Sequence, residues 1–421
     1  MLRSLMLLLS LWGALIIPSW ARTEPTLELV ESFPIETNLD HPAIPDAGDV
    51  WLEMIQGAER SLAFAEFYAS DSPGSRLEDV IGAIEAAADR GVDVRFLAEK
   101  NFYKTYPEIL DRFAGRTGIE VRILDTAATM GGVLHAKYFI VDGETAFLGS
   151  QNFDWRALTH IQELGVRFHN AELVNGLASV FNLDWRIAGG ITDPPDSVSQ
   201  PPAAYDRAEL VRPRHPGSIP VSIVQEGDSL EVSLVASPKG WLPRGVSWDL
   251  PLILNLIDNA QSTVRVQLLT YGTVGRDRTY FGELESALRR AAARGVAVQL
   301  ILSHWSRRKG TIDGLQSLQA LPHITVKLMT IPEWSGGFIP FARVVHAKYL
   351  VVDGRAVWVG TGNWEKDYFY RSRNVGLIIE GESIGRRLDQ IFMDNWNGDY
   401  VQEVDPCAVY EAPKISGEEG R

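Results

Sequence analysis

Cysteine is almost absent from this chain: Cys407 stands alone among 421 residues. No internal disulfide is possible, so the fold must be held by a core of ordinary size rather than by covalent staples. No N-x-[S/T] acceptor for glycosylation occurs either. The two absences together fit a bacterial periplasmic or secreted protein better than a eukaryotic secretory one. Beyond the first two dozen residues there is no apolar run long enough to span a bilayer. No His/Asp/Glu group shows metal-ligand spacing. Positive charge is also in short supply, with 40 Lys and Arg against 54 Asp and Glu and a formal net charge of −14. That balance argues against a general nucleic-acid coat protein, but it leaves room for an enzyme with a locally positive cleft.

Hydrophobic residues make up 45% and charged residues 22%, an ordinary globular balance in a chain long enough for two cores. At the N-terminus Arg3, the apolar stretch Leu5 to Ile17 and the small-x-small Ser19-Trp20-Ala21 predict a signal peptide cut after Ala21. An uncleaved membrane anchor is the alternative. Export to the periplasm or the medium is therefore expected.

One stretch occurs twice. His135 to Asn152 reads HAKYFIVDGETAFLGSQN, and His346 to Asn363 reads HAKYLVVDGRAVWVGTGN. Both fill the template H-x-K-x4-D-x6-G-[S/T]-x-N without a gap. In an extended chain alternate side chains share a face, so His135 lies with Lys137 and His346 with Lys348. Asp142-Gly143 and Asp353-Gly354 are hairpin signals that return the chain. Ser150 and Asn152, or Thr361 and Asn363, then end near the His-Lys pair. An imidazole, an ammonium and an amide on one patch suit a phosphate, which needs a nucleophile or acid and donors for its oxygens.

Other elements recur in the same order. Helix-like Trp51 to Ala58 and the apolar run Ser61 to Tyr68 match Leu252 to Ala260 and Val264 to Tyr271. Strands at Val92 to Ala98 and Ile119 to Leu124 match Val296 to Ser303 and Ile324 to Met329. The closing helices share Phe181 and Trp185 with Phe392 and Trp396. The offset grows from 204 at Gly91/Gly295 to 211 at the motif histidines, which places about seven extra residues in the Pro332 to Pro340 loop. The expected organisation is a signal peptide (1–21), an extended lead-in (22–48), a first α/β domain (49–188), a connector (189–248) with one hairpin, a second α/β domain (249–402) and a tail (403–421).

The doubled motif resembles the signature of the phospholipase D superfamily. The resemblance implies two similar α/β domains packed face to face, with one active site at their interface. It also implies phosphodiester cleavage without metal or cofactor. One motif histidine becomes a covalent phosphohistidine, the other protonates the leaving group, and water activated by the second releases the product. Lys137, Lys348, Asn152 and Asn363 would hold the phosphoryl oxygens, with Ser150 and Thr361 as further substrate contacts. Asp142 and Asp353 are read as structural, because they open a turn at the far end of the strand. Glu163, twenty-eight residues after His135, has Asn374 as its counterpart after His346. A carboxylate on the far ring nitrogen orients an imidazole, so this asymmetry assigns His135 as nucleophile and His346 as general acid.

The words NFDWRALTHIQELGV and IPFARVVHAKY are similar to the branch holding the lysosomal single-strand 5′ exonucleases and their poxvirus relatives, over about Glu31 to Tyr400. This chain departs in lacking that branch's disulfide cysteines, glycosylation sites and long anchor. Single-stranded nucleic acid is the expected substrate, and a glycerophospholipid is the alternative; no obligate protein partner is evident. Trp305 with Arg307, Arg308 and Lys309 reads equally as a single-strand groove or a solvated loop. Trp364, Tyr368 and Phe369 read as a base-stacking or acyl-chain surface or as core.

Overall fold

In the computed structural model the described residues are 24–191 and 220–416. The segment read as a signal peptide lies outside them. Among them are two large sheets, one for each copy of the repeat, and a two-stranded pair of Ala69–Ser70 with Phe153–Asp154.

The first sheet is built from β1 (Thr26–Ser32), β2 (Ser61–Glu66), β3 (Asp93–Glu99), β4 (Ile119–Leu124), β5 (Lys137–Val141), β6 (Thr145–Gly149) and β7 (Glu163–His169), in the order β1-β7-β6-β5-β2-β3-β4. Helices α1 (Ala47–Gln56) and α2 (Arg76–Asp89) feed β2 and β3, and α3 (Ala171–Ala188) closes the unit. Asp46 and Ser75 accept hydrogen bonds from backbone N–H groups in the first turns of α1 and α2.

The second sheet has ten strands. Nine follow one path: β8 (Val221–Gln225), β9 (Asp228–Ser237), β15 (Asn374–Glu380), β14 (Ala356–Gly360), β13 (Tyr349–Val352), β10 (Thr263–Leu268), β11 (Ala297–Ser303), β12 (Ile324–Met329) and β16 (Val401–Glu403). The pair Ser247–Trp248 adds to β9. Its helices α4 (Asp249–Asn259), α5 (Glu283–Ala293) and α6 (Glu382–Asn397) repeat α1, α2 and α3.

The repeat extends to side-chain detail. Phe181 stacks on Trp185 at 5.4 Å and Phe392 on Trp396 at 5.6 Å, both at 22°. A cation covers each indole at 4.4 Å, Arg122 in one half and Lys327 in the other.

The stretches read as lead-in and connector contribute to the sheets. The lead-in supplies β1, which pairs antiparallel with β7 so that Ser32 faces Glu163. The hairpin β8–β9 stands in the corresponding place in the second half, with Ser237 facing Asn374. Neither joins its sheet beside a chain neighbour, so local periodicity alone gave no sign of the pairing.

Both sheets are buried on two faces. Along β5 the alternation splits Tyr138 and Ile140 from Phe139 and Val141. The second pair joins a cluster confined to the first half, around Trp51, Phe64, Phe96 and Phe153. The first pair joins a cluster continuous with the second half, through Trp248, Tyr349 and Trp358. The interface between the halves is thus core, and it fixes how the motifs meet.

The motif aspartates close the far ends. Asp142 and Gly143, like Asp353 and Gly354, have φ of 56°, 70°, 54° and 61°, as a two-residue hairpin with both central residues left-handed requires. The Asp142 carboxylate accepts from the backbone N–H groups of Glu59, Arg60 and Ser61 at 2.7–2.9 Å. Asp353 accepts from Gln261, Ser262 and Thr263 at 2.8–2.9 Å. Each aspartate therefore ties the helix-to-strand turn of its half to the motif hairpin. Asp142→Ala removes a charged acceptor from three donors and is expected to lower stability by about 2 kcal/mol. Urea unfolding followed by tryptophan fluorescence measures this, and an unchanged midpoint would refute the anchoring role.

Candidate active site

Each motif begins where the chain leaves one half to touch the other. The His135 N–H donates to the Arg373 carbonyl at 2.9 Å, and the Arg373 N–H donates to Val133. The His346 N–H donates to the Gln162 carbonyl at 2.8 Å, and the Gln162 N–H donates to Val344. Two parallel bridges, Leu134 with Arg373 and Gln162 with Val345, thus join the halves on either side of the site. The residues that follow the bridging partners are Asn374 and Glu163.

That crossing decides which side chain meets which histidine. His346 Nδ1 lies 2.7 Å from Glu163 Oε2, and His135 Nδ1 lies 3.1 Å from Asn374 Oδ1. The expectation that Glu163 orients the histidine of its own half is corrected: the carboxylate belongs to His346 and the amide to His135. Sequence distance pointed to the nearer motif, whereas β7 and β15 end at the interface and reach across it.

The lysines fold back on their own motifs. Lys137 Nζ donates to the His135 carbonyl at 2.7 Å, and Lys348 Nζ makes the same bond to His346. An ammonium has three N–H groups, so donors remain for a ligand. Asn363 Oδ1 accepts from Thr270 N at 3.4 Å, while Asn152 Oδ1 is buried without a partner. His135, Lys137, Asn152, His346, Lys348 and Asn363 all come together, and all are buried.

Ser150 and Thr361 sit differently from the expectation of substrate contact. Ser150 Oγ accepts from Leu164 N at 3.0 Å, and Thr361 Oγ1 accepts from Val375 N and donates to Asn374 Oδ1, both at 3.1 Å. Both hydroxyls brace the strands that carry Glu163 and Asn374. Glycines make room for this: a Cβ on the motif Gly149 would lie 2.7 Å from the Gly165 Cα, and one on Gly376, paired with the motif Gly360, would lie 2.7 Å from the Val359 carbonyl oxygen.

Other readings divide. Trp364 and Phe369 are core, whereas Tyr368 is partly exposed and stands edge-on to His135 at 4.8 Å. Trp305 joins a small apolar cluster with Ile161, Leu269, Ala342, Val344 and Ile339, with Phe341 beside it at 6.4 Å. The Pro332–Pro340 loop bridges the halves: Ser335 donates twice to Glu36 at 2.6 Å, and Arg156 donates to the Pro340 carbonyl at 3.1 Å.

Two features went unread in the sequence. Arg373 is fully buried, paired with Asp184 at 2.8 Å and donating to the carbonyls of Ser237 and Trp241. It anchors the crossing strand to α3 of the opposite half. Glu66 pairs in register with Lys137, while the matching place in the second half is Leu268. A lone Glu ending an apolar run carries no signal of its own.

Burial dominates the electrostatics. It pushes the Glu163 carboxyl up to about 8, with the two lysines and Ser150 opposing. It brings the Lys348 ammonium down to about 7, with Glu163 opposing. Lys137 is lowered by burial and by Lys348, and Glu66 is raised by burial against the pull of Lys137. Burial and the two ammonium groups hold both motif histidines well below the usual imidazole range. An anion bound here would favour the charged forms of the two lysines and two imidazoles that burial disfavours.

A family model described as "Cardiolipin synthase, PLD-like domain" matches residues 51–185 and 253–396. The chain belongs to the phospholipase D superfamily. The bovine and human proteins named "5'-3' exonuclease PLD3" are each 31% identical over 409 residues, covering 90% of this chain and 81% of theirs. "Phospholipase D Z" of Dictyostelium discoideum is 29% identical over 393 residues, covering 89% of this chain and 90% of its own. The fold is shared with the phosphatidylserine synthase of Haemophilus influenzae Rd KW20, at a TM-score of 0.58, 13% identity and 85% coverage of both chains. As in the superfamily at large, two motif copies here make one site.

The raised Glu163 has a consequence for stability. The folded protein holds that proton more tightly than the unfolded chain, where a Glu titrates near 4.5. Its contribution to stability is therefore fully present below about 4.5 and is lost as pH rises through about 8. Glu163→Gln lacks this titration. The Tm of the variant minus that of the parent should grow more positive from pH 5 to pH 9, and a difference that stays flat or falls would contradict the assignment.

Proposed function

We propose that this protein is a phosphodiesterase that removes nucleotides from the 5′ end of single-stranded nucleic acid through a phosphohistidine on His346. The observation that carries the reading is the convergence of two complete His-Lys-Asn sets on one buried patch, in a chain aligned over nine-tenths of its length with proteins named 5'-3' exonucleases.

The asymmetry of the ring partners supports the choice of nucleophile. When a neutral imidazole bonds to phosphorus through Nε2, the ring becomes positively charged. A carboxylate at Nδ1 offsets that charge, and the Glu163 carboxyl, which gives up its proton as pH rises through about 8, stands 2.7 Å from His346 Nδ1. An amide carbonyl at Nδ1, as on His135, orients the ring but stabilises imidazolium less. That makes His135 the stronger acid. In the first step His346 Nε2 attacks phosphorus, the P–O bond to the leaving strand breaks, and the His135 imidazolium gives its proton to the departing oxygen. In the second step neutral His135 takes a proton from water, the water oxygen bonds to phosphorus, and the P–N bond breaks. Lys137, Lys348, Asn152 and Asn363 hold the non-bridging oxygens throughout. The incoming phosphodiester anion also offsets the two ammonium groups that depress both histidines, so substrate binding favours the protonated His135 that the first step needs.

This chemistry calls on no metal, since the lysines neutralise the phosphoryl charge. The leader read at residues 1–21 fits export, so the substrate would be met outside the cytoplasm. Hydrolysis of glycerophospholipids is the second reading, favoured by the near full-length match to a Dictyostelium protein named phospholipase D. Purified protein in EDTA, given 5′-labelled single-stranded oligonucleotides and phosphatidylcholine vesicles in parallel, separates the readings. Release of labelled mononucleotide with little choline is expected. Choline release alone would move the assignment to lipid, and turnover of neither, nor of bis(p-nitrophenyl) phosphate, would refute the enzyme.

A further inference from the structure

A run of aromatic side chains leads away from His135 on the side of the first half. Phe67 stands edge-on to His135 at 4.9 Å, with the Lys137 ammonium 4.9 Å from its centroid. Phe102 follows 4.0 Å from Phe67, then Tyr68 stacks on Phe102 at 5.5 Å and 20°, and Tyr106 stacks on Tyr68 at 5.1 Å and 25°. Each of the four is partly exposed.

The rings are held from behind. The Tyr68 phenol lies against Asp154 and the Tyr106 phenol against Arg156. Asp154 and Arg156 form a buried two-pronged ion pair, with bonds at 2.8 and 2.5 Å. Phe102, Tyr68 and Tyr106 stack in turn within 25° of parallel, with Phe67 tilted at 50° beside them, an aromatic flank unlike the deformable aliphatic lining that suits an acyl chain.

We propose that this wall, and Phe102 and Tyr106 in particular, stacks the nucleobase on the leaving-group side of the scissile phosphate. The proposal rests on the phosphodiesterase reading above, and it adds which side of the phosphate is recognised and by what. His135 protonates the leaving oxygen, so a wall that starts at His135 meets the departing strand and not the nucleotide retained on His346. A base has a π face whatever its sequence, so such a wall accepts any base and requires only that one be present.

Two dinucleotides test this: dTpdT, and the same molecule with an abasic sugar on the leaving side. The parent should cleave dTpdT at least five times more efficiently, as kcat/KM, than its abasic partner. Phe102→Leu and Tyr106→Leu each keep apolar bulk and remove the ring, and each should bring that ratio close to one. Both sites are partly exposed, and an unchanged Tm with a changed ratio separates loss of stacking from loss of fold. No base preference in the parent, or an unchanged ratio in both variants, would overturn the wall. A preference that survives while hydrolysis of dihexanoyl phosphatidylcholine falls in both variants would reassign it to acyl chains. Cleavage of neither dinucleotide, with bis(p-nitrophenyl) phosphate still turned over, would instead refute the nucleic-acid reading as well.

Discussion

The contact on which the site depends is the exchange of ring partners across the interface. Glu163 from the first half holds His346 of the second, and Asn374 from the second holds His135 of the first. Neither half can orient its own histidine. The two cross-domain bridges, the buried Arg373–Asp184 pair and the shared core all maintain this exchange. A displacement of one half by an ångström would cost both histidines their tautomers.

The exchange also explains why so many polar groups are kept out of water. Two ammonium groups, two imidazoles and two carboxyl groups lie buried within one site. Burial is the largest influence on each of them, and each is driven toward its neutral form. The unfavourable desolvation is spread over the interface, and a bound anion relieves part of it. Stability is thus traded for a site complementary to charge that arrives with the substrate.

Much of this was legible in the sequence because duplication supplies its own control. A single H-x-K on a strand says little; two gapless copies mark the two His-Lys-Asn sets, the hairpin aspartates and the paired α/β units. The repeated strands at Ile119–Leu124 and Ile324–Met329 were readable to the residue. What escaped was whatever depends on contact between distant segments. Glu163 was singled out, but its partner was assigned by nearness along the chain. Ser150 and Thr361 were read by their nearness to the phosphate, while their oxygens serve the adjacent strand. The hairpin that carries β9 is legible in the connector, but the sheet places of β1 and β9 are not, because both join from outside the repeat, and Glu66 has no counterpart to draw attention to it.

The central claim is that the carboxylate partner selects the nucleophile. It is tested most directly by intact-protein and peptide mass spectrometry of enzyme quenched without acid during turnover of a p-nitrophenyl phosphodiester. The account predicts a phosphoryl adduct on His346 that accumulates in His135→Ala, where the acid-base for hydrolysis is missing and the leaving group needs no proton. It predicts no adduct in His346→Ala. An adduct mapping to His135, or one that forms in His346→Ala, would contradict it.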